Sequence, residues 1–182
     1  MIILNCDNIS LSFGTEEILK NITFSLNDGE KLGIVGINGA GKSSLFKIIC
    51  GKYDPSSGNV YLQKDTTIGL LEQNIEYDTD KTVLEESYDT FSDLIKEEAE
   101  LEKLRKEAET DGTEKAAARY SLALDRFTEK GGYEFRGRCK GILKNLGFDE
   151  SFFNLSVSAL SGGQKTRLAL ACILLRNPDI LM

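Results

Sequence analysis

Residues 31–50, KLGIVGINGAGKSSLFKIIC, constrain the fold more than any other stretch. A short apolar run from Leu32 to Val35 leads into Gly36, four residues, Gly41, Lys42 and Ser43, and an amphipathic run from Leu45 to Cys50 follows. Strand, glycine loop, helix is the order of a Walker A phosphate-binding loop. A chain that wraps a phosphate must aim successive N–H groups inward, which demands positive φ and bare Cα atoms, so Gly36, Gly39 and Gly41 are expected to supply that freedom. The helix that follows brings its unpaired first-turn amides and positive dipole end to a β-phosphate. Lys42 adds a full charge that reaches β- and γ-oxygens, and the Ser43 hydroxyl is placed to ligate Mg²⁺.

The 182 residues allow one ordinary domain or one with an insertion, and 41% hydrophobic content is enough for a core. No apolar run approaches the roughly 20 residues a membrane helix needs, and Met1–Asn5 leads straight into strand-like sequence without a basic leader. A cytoplasmic protein is expected, without membrane insertion. Cys6, Cys50, Cys139 and Cys172 are scattered in apolar contexts and read as buried thiols rather than disulfides or metal ligands. The net charge of −7 argues against a protein that coats nucleic acid nonspecifically.

Ahead of the loop, Ile2–Phe13 and Ile18–Leu26 read as two strands, and Asn27-Asp28-Gly29 as a hairpin-type turn into the Walker strand. Phe13, ending its strand before a glycine, either offers a ring to an adenine or fills the core. Beyond Gly51 and the turn Asp54–Gly58, Asn59–Leu62 and Thr67–Leu71 look like two more strands. Gln73, leaving the second of these, either meets Mg²⁺ or an attacking water through its amide oxygen or is a surface loop residue.

From Thr82 to about Thr110 apolar residues recur at three- and four-residue steps without Gly or Pro, which predicts one long amphipathic helix. Asp111-Gly112 turns the chain, and the stripe Ala116, Tyr120, Ala123, Leu124, Phe127 packs back to form a helical hairpin. Gly131-Gly132 ends it, and Tyr133–Leu146 is a further helix burying Phe135, Cys139, Ile142, Leu143 and Leu146. Residues 81–110 hold ten acids against five bases, which rules out a phosphate-binding face there. Arg136, Lys140 and Lys144 share one side of the later helix and read as a solvated row.

Leu160-Ser161-Gly162-Gly163-Gln164 is the second decisive stretch. Two glycines behind a serine, opening the apolar helix Leu168–Leu175, make another place where backbone amides and a hydroxyl converge on a phosphate. Taken with the Walker A loop, the chain resembles the ATP-binding cassette (ABC) ATPases, whose signature is L-S-G-G-Q. The resemblance implies an α/β P-loop cassette with an N-terminal antiparallel β subdomain and an inserted α-helical subdomain carrying the hairpin. It divides the chain into a β-rich ATP-binding core, 1–80, a helical subdomain, 81–159, and the signature with its helix, 160–182. It implies that Phe13 stacks the adenine, that Gly36, Asn38, Gly39, Ala40, Gly41, Lys42, Ser43 and Ser44 bind ATP, and that Gln73 is the Q-loop residue that joins Ser43 at Mg²⁺. It also implies that Ser161, Gly162, Gly163 and Gln164 cover the γ-phosphate held by a second cassette.

The 86 residues between Gln73 and Leu160, and the segment FTEKGGYEFRGRCKGILKNLGF at 127–148, are similar to ABC-F proteins. Those are soluble tandem-cassette ATPases that act on ribosomes, some in antibiotic resistance, and in them the hairpin is an arm. An ATP-binding subunit of an ABC membrane transporter is the alternative, with SMC-type ATPases behind it. Asp179–Met182 begins what the resemblance makes the Walker B strand. The Walker B aspartate, the catalytic glutamate and the switch histidine are expected beyond Met182, in keeping with a histidine count of zero. No catalytic residue is therefore assigned, and these 182 residues are expected to bind nucleotide weakly without hydrolysing it. An interrupted central sheet is expected to leave an exposed edge open to self-association.

Overall fold

Two long strands open the chain. β1 (Ile2–Phe13) pairs antiparallel with β2 (Glu16–Asn27) on one side and with β3 (Ser57–Leu62) on the other. The computed structural model describes residues 1–72, 75, 77 and 79–182. They divide into one unit of Met1–Leu70 with Pro178–Met182 and a second of Leu71–Asn177.

In β1 the inward set is Leu4, Cys6, Ile9 and Leu11, and the step of three from Cys6 to Ile9 breaks the two-residue period of a strand. A bulge restores it: the register shifts between those two residues, and Asn8 sits at φ 50°. β3 crosses close to the bulge at Gly58, where a Cβ would stand 2.3 Å from the Asn8 carbonyl oxygen. Only glycine fits. Helix α1 (Lys42–Ile49) buries Leu45, Ile48 and Ile49 in the same apolar cluster as Leu4, Cys6, Ile9, Leu11 and Leu19.

The expected Walker strand does not form. The turn at Asn27–Gly29 is present, with the Glu30 amide donating to the Asn27 carbonyl at 3.0 Å, but residues 31–37 continue as irregular backbone. Val35 is 96% exposed and Ile37 81%. A strand has no internal hydrogen bonds and exists only through its neighbours. Here β4 (Ile68–Gly69) and β5 (Ile180–Leu181) pair in parallel with each other, and among the described residues no strand lies alongside 32–35. The β4–β5 ladder is short, and a side-chain latch fixes its register. The Asp179 carboxylate accepts from the Thr67 amide and hydroxyl, both at 2.8 Å, while the Asp179 amide donates to the Thr67 hydroxyl oxygen at 3.1 Å.

In the second unit the expected long helix is broken into α2 (Val83–Tyr88) and α3 (Ser92–Asp111), joined by a 3₁₀ turn at Asp89–Phe91. Hydroxyl groups compete for backbone carbonyls at the break: Ser87 donates to Leu84 and Thr90 to Ser87, each at 2.7 Å. Upstream, Thr82 and Glu85 form a capping box that starts α2. Helix α4 (Glu114–Glu129) returns along α3. The pairing is antiparallel, because Lys130 at the end of α4 meets Glu97 near the start of α3 at 2.5 Å, and Arg119 meets Glu107 at the far end at 3.6 Å. Gly132 closes the hairpin beneath Phe127, whose ring would lie 2.4 Å from any added Cβ.

Helix α5 (Phe135–Asn145) and helix α6 (Gly162–Arg176) complete this unit, with Val83, Leu143, Phe148, Val157, Leu168 and Ala171 in one buried cluster. The stretch 160–182, taken from sequence as one segment, is therefore divided: α6 packs with α2 and α5, while Pro178–Met182 belongs with the β-rich unit. No helix of the described residues is long and apolar enough to cross a membrane.

Two measurements check this account. Phe127→Ala, at a side chain only 1% exposed, should cost about 3–5 kcal/mol in urea unfolding, where surface changes on α4 cost little. The Thr67 hydrogen bonds hold the Asp179 carboxyl below its ordinary value of 3.8, so its stabilising contribution is present above that pH and lost as pH falls through the lower folded value. The stability gap between the natural chain and Asp179→Ala should be constant near neutrality and should narrow below about pH 4.

Candidate nucleotide-binding site

The loop at Gly36–Ser44 is shaped by two left-handed residues rather than three. Gly39 and Gly41 both stand at φ 83°, the left-handed backbone that glycine adopts without steric cost. Gly36, expected to join them, is not among the positive-φ residues. Its bare Cα serves close approach instead, since a Cβ there would come within 3.3 Å of the Ala40 Cβ and 3.9 Å of the Lys42 Cδ. Gly41 carries both constraints. It is the N-cap of α1, and a Cβ on it would stand 2.8 Å from both Ile18 Cγ2 and Leu19 Cδ2 on β2.

The first intrahelical hydrogen bond of α1 runs from the Leu45 amide to the Gly41 carbonyl at 2.9 Å, so the amides of Lys42, Ser43 and Ser44 precede any intrahelical acceptor. Those are the donors an anion meets at a helix start. The Lys42 ammonium donates to the Gly36 carbonyl at 2.7 Å and the Ile37 carbonyl at 2.8 Å, which folds the side chain back across the loop. An ammonium has three N–H donors. Two of them tie Lys42 to the loop. Asn38, Ala40 and Ser43 are exposed on the loop surface and Ser44 is half-buried.

The donor set fits Mg²⁺ as a nucleotide carries it. Mg²⁺ keeps several waters and takes few protein oxygens besides phosphates, so one exposed hydroxyl, that of Ser43, suffices where a cage of carboxylates would not be needed. The described residues contain no cluster of three or more His, Cys, Asp or Glu able to hold a metal by themselves. Gln73, the other expected ligand, lies outside the described residues.

Phe13 is not in the core. It is 57% exposed at the end of β1, and its ring meets Tyr53 edge to face at a centroid distance of 6.2 Å. Phe13 pairs with Glu16 across the β1–β2 hairpin, and Ile18, which touches Gly41, lies two residues further along, roughly 7 Å at the rise of a strand. Sequence reasoning passed over Tyr53. The available signal was an aromatic residue placed before the turn at Asp54–Gly58, where the solvent side gives an apolar ring no partner unless another ring is near.

In the helical unit, Ser161 is the N-cap of α6 and forms a capping box with Gln164. The Gln164 amide donates to the Ser161 hydroxyl oxygen at 3.4 Å, and the Ser161 amide donates to Gln164 Oε1 at 2.8 Å. Capping uses a lone pair of the hydroxyl and leaves its hydrogen to donate elsewhere. Gly162 and Gly163 are exposed, and a Cβ on either would meet nothing within 4 Å. Their bareness opens access to the helix start rather than relieving a clash.

Other candidate groups are otherwise engaged. Arg136 makes a two-pronged pair with Glu98 at 2.7 and 2.6 Å, and Lys144 bonds Glu150 at 2.8 Å, so these members of the basic row are balanced by acids. Burial pushes the Cys6 thiol up to about 11 and that of Cys172 up to about 12, which keeps both protonated and poor nucleophiles.

The family described as ABC transporter matches residues 19–182. The Bacillus subtilis (strain 168) protein YdiF is 37% identical over 185 residues, covering 100% of this chain and 29% of its own length. ABC transporter F family member 2 of Arabidopsis thaliana is 34% identical, covering 97% of this chain and 27% of its own. The energy-dependent translational throttle protein EttA of Mycobacterium tuberculosis is 30% identical, covering 93% and 30%. Among solved structures, the ATP-binding subunit of an ABC transporter superposes with a TM-score of 0.64 at 20% identity, covering 98% of this chain and 64% of that one. That likeness concerns the fold. The chain spans under a third of the length of these curated relatives.

Proposed function

The chain belongs to the ABC transporter family, and from that premise we propose that it is part of an ATP-binding cassette of the ABC-F type, gripping Mg-ATP at Gly36–Ser44. One observation carries the reading: Lys42, at the first turn of α1, is folded back onto two loop carbonyls, which holds its ammonium over the loop that leads into that helix. In this role the amides of Gly39, Gly41 and Lys42–Ser44 surround the β-phosphate, Lys42 offsets the γ-phosphate charge, Ser43 holds Mg²⁺ against the phosphates, and Phe13 stacks the adenine. Mg²⁺, when bound, neutralises charge that builds on the terminal oxygens.

The N-terminus of α6 serves a different nucleotide. With its hydroxyl hydrogen unspent and Gly162 and Gly163 bare, Ser161–Gln164 suits the γ-phosphate of an ATP held by a second cassette, in the same polypeptide or a partner. Placement in the ABC-F branch rests on the long α3–α4 hairpin and on relatives named for the F family and for a translational throttle. Acting in the cytoplasm on ribosomes through that hairpin, in translation or antibiotic resistance, is the function this branch supports. The transporter-subunit alternative draws on the name of the family and on solved structures that share the fold.

The first test is nucleotide affinity. Titration calorimetry should show Mg-ATP binding that weakens about ten- to a hundredfold in Lys42→Ala, the scale of a lost charge-assisted hydrogen bond. Undiminished binding in that variant would overturn the assignment of the loop. For the ribosomal role, the protein held in its ATP-bound state should co-sediment with ribosomes, and its absence from the ribosomal pellet would remove that role while leaving the nucleotide site standing.

A further inference from the structure

We propose that Tyr53 is the positioning residue of the base platform: it holds the Phe13 ring at the angle at which a nucleobase stacks, and so contributes to nucleotide affinity without touching the phosphates. The inference rests on the reading of Phe13 as the base-stacking residue and extends it to a side chain that neither sequence motif contains. An aromatic ring at a strand end, 57% exposed, has little to fix its orientation. A stacking surface that must first be ordered loses affinity to that ordering. Phe13 does have a fixed neighbour. The Tyr53 ring stands at 88° to it with centroids 6.2 Å apart, the edge-to-face geometry that aromatic quadrupoles favour. Whichever ring presents its edge, at least one face of Phe13 stays uncovered by Tyr53, and that face is the one a base would use.

Tyr53 is itself held from two directions. Its backbone amide donates to the Lys47 carbonyl at 3.2 Å, and the Lys47 ammonium lies over its ring at 5.1 Å from the centroid. Just beyond it, the Ser56 amide donates to the Ser10 carbonyl at 2.8 Å and the Ser56 hydroxyl oxygen accepts from the Ser12 amide at 3.0 Å. These bonds tie the segment leaving α1 to the last residues of β1, next to Phe13. The helix that begins at the phosphate loop therefore ends by bracing the base-stacking ring. One short helix links the two ends of the nucleotide.

The test separates base from phosphate. Affinities for Mg-ATP and for magnesium tripolyphosphate, which has no base, are measured on the natural chain and on Tyr53→Leu, Tyr53→Phe and Phe13→Leu. Tyr53→Leu should weaken ATP about three- to tenfold, the worth of an edge-to-face pair, and leave tripolyphosphate unchanged. Tyr53→Phe keeps the ring and should restore natural affinity. An equal loss for both ligands in Tyr53→Leu would mean a general disturbance of α1 and would overturn the proposal. Undiminished ATP binding in Tyr53→Leu, with Phe13→Leu impaired, would overturn the role of Tyr53 alone. If Phe13→Leu also bound ATP normally, or if the natural chain bound ATP no better than tripolyphosphate, the base-stacking reading would fall and this inference with it.

Discussion

The contact of Gly41 with Ile18 and Leu19 is the constraint on which the β-rich unit depends. Gly41 must be left-handed to end the loop and must lack a Cβ to lie against β2, so one position fixes both the curvature of the loop and the entry of α1. From that entry α1 sets Leu45, Ile48 and Ile49 on the inner face of β1. The apolar burial that stabilises the sheet thus also anchors the helix whose first turn faces solvent with its amides uncommitted. One helix thus packs the core with its sides and leaves uncommitted amides at its end.

A similar economy of backbone governs the helical unit. The capping boxes Thr82–Glu85 and Ser161–Gln164 satisfy the starts of α2 and α6, and both helices feed the cluster around Val83, Leu143 and Leu168. The hairpin has a thinner core, with Leu101, Leu104, Ala116 and Phe127 as its buried residues. Exposed ion pairs such as Arg105 with Glu102 and Glu109 run along α3, each worth little in water. Phe127 and its close approach by Gly132 therefore matter more to the hairpin than its many charges do.

Much of this was legible because local signals and tertiary outcome agreed. The glycine loop, the serine before two glycines and the two hairpin stripes each specify a structure through nearby residues alone. Three features were not local. Leu32–Val35 reads as a strand by composition, yet a strand is a property of its neighbours, and the described residues offer it none. The break at Asp89–Phe91 lay hidden in an uninterrupted apolar stripe, because Ser87 and Thr90 act through hydroxyl bonds that periodicity does not register. Tyr53 gained its meaning only when the fold brought it to Phe13. Between core and solvent for Phe13, composition could not choose; the answer depended on the strand ending where the sheet does.

Charge raises a last question, since a chain of net charge −7 is proposed to bind a polyanion. Two facts resolve it. Several of the acids are already paired with bases, as along α3, where Lys103 pairs with Glu100 and Arg105 with Glu102 and Glu109. At physiological salt the screening length is about 8 Å, so exposed charges further off than that hardly act on a phosphate. What a phosphate would feel at the loop is the short-range set: the first-turn amides and dipole end of α1 and one ammonium fixed by two carbonyls. Lys42 is the only full charge in that set, and its position is set by the loop it serves. The proposed binding is a matter of local donor geometry, so the global balance of charge can be acidic without cost to it.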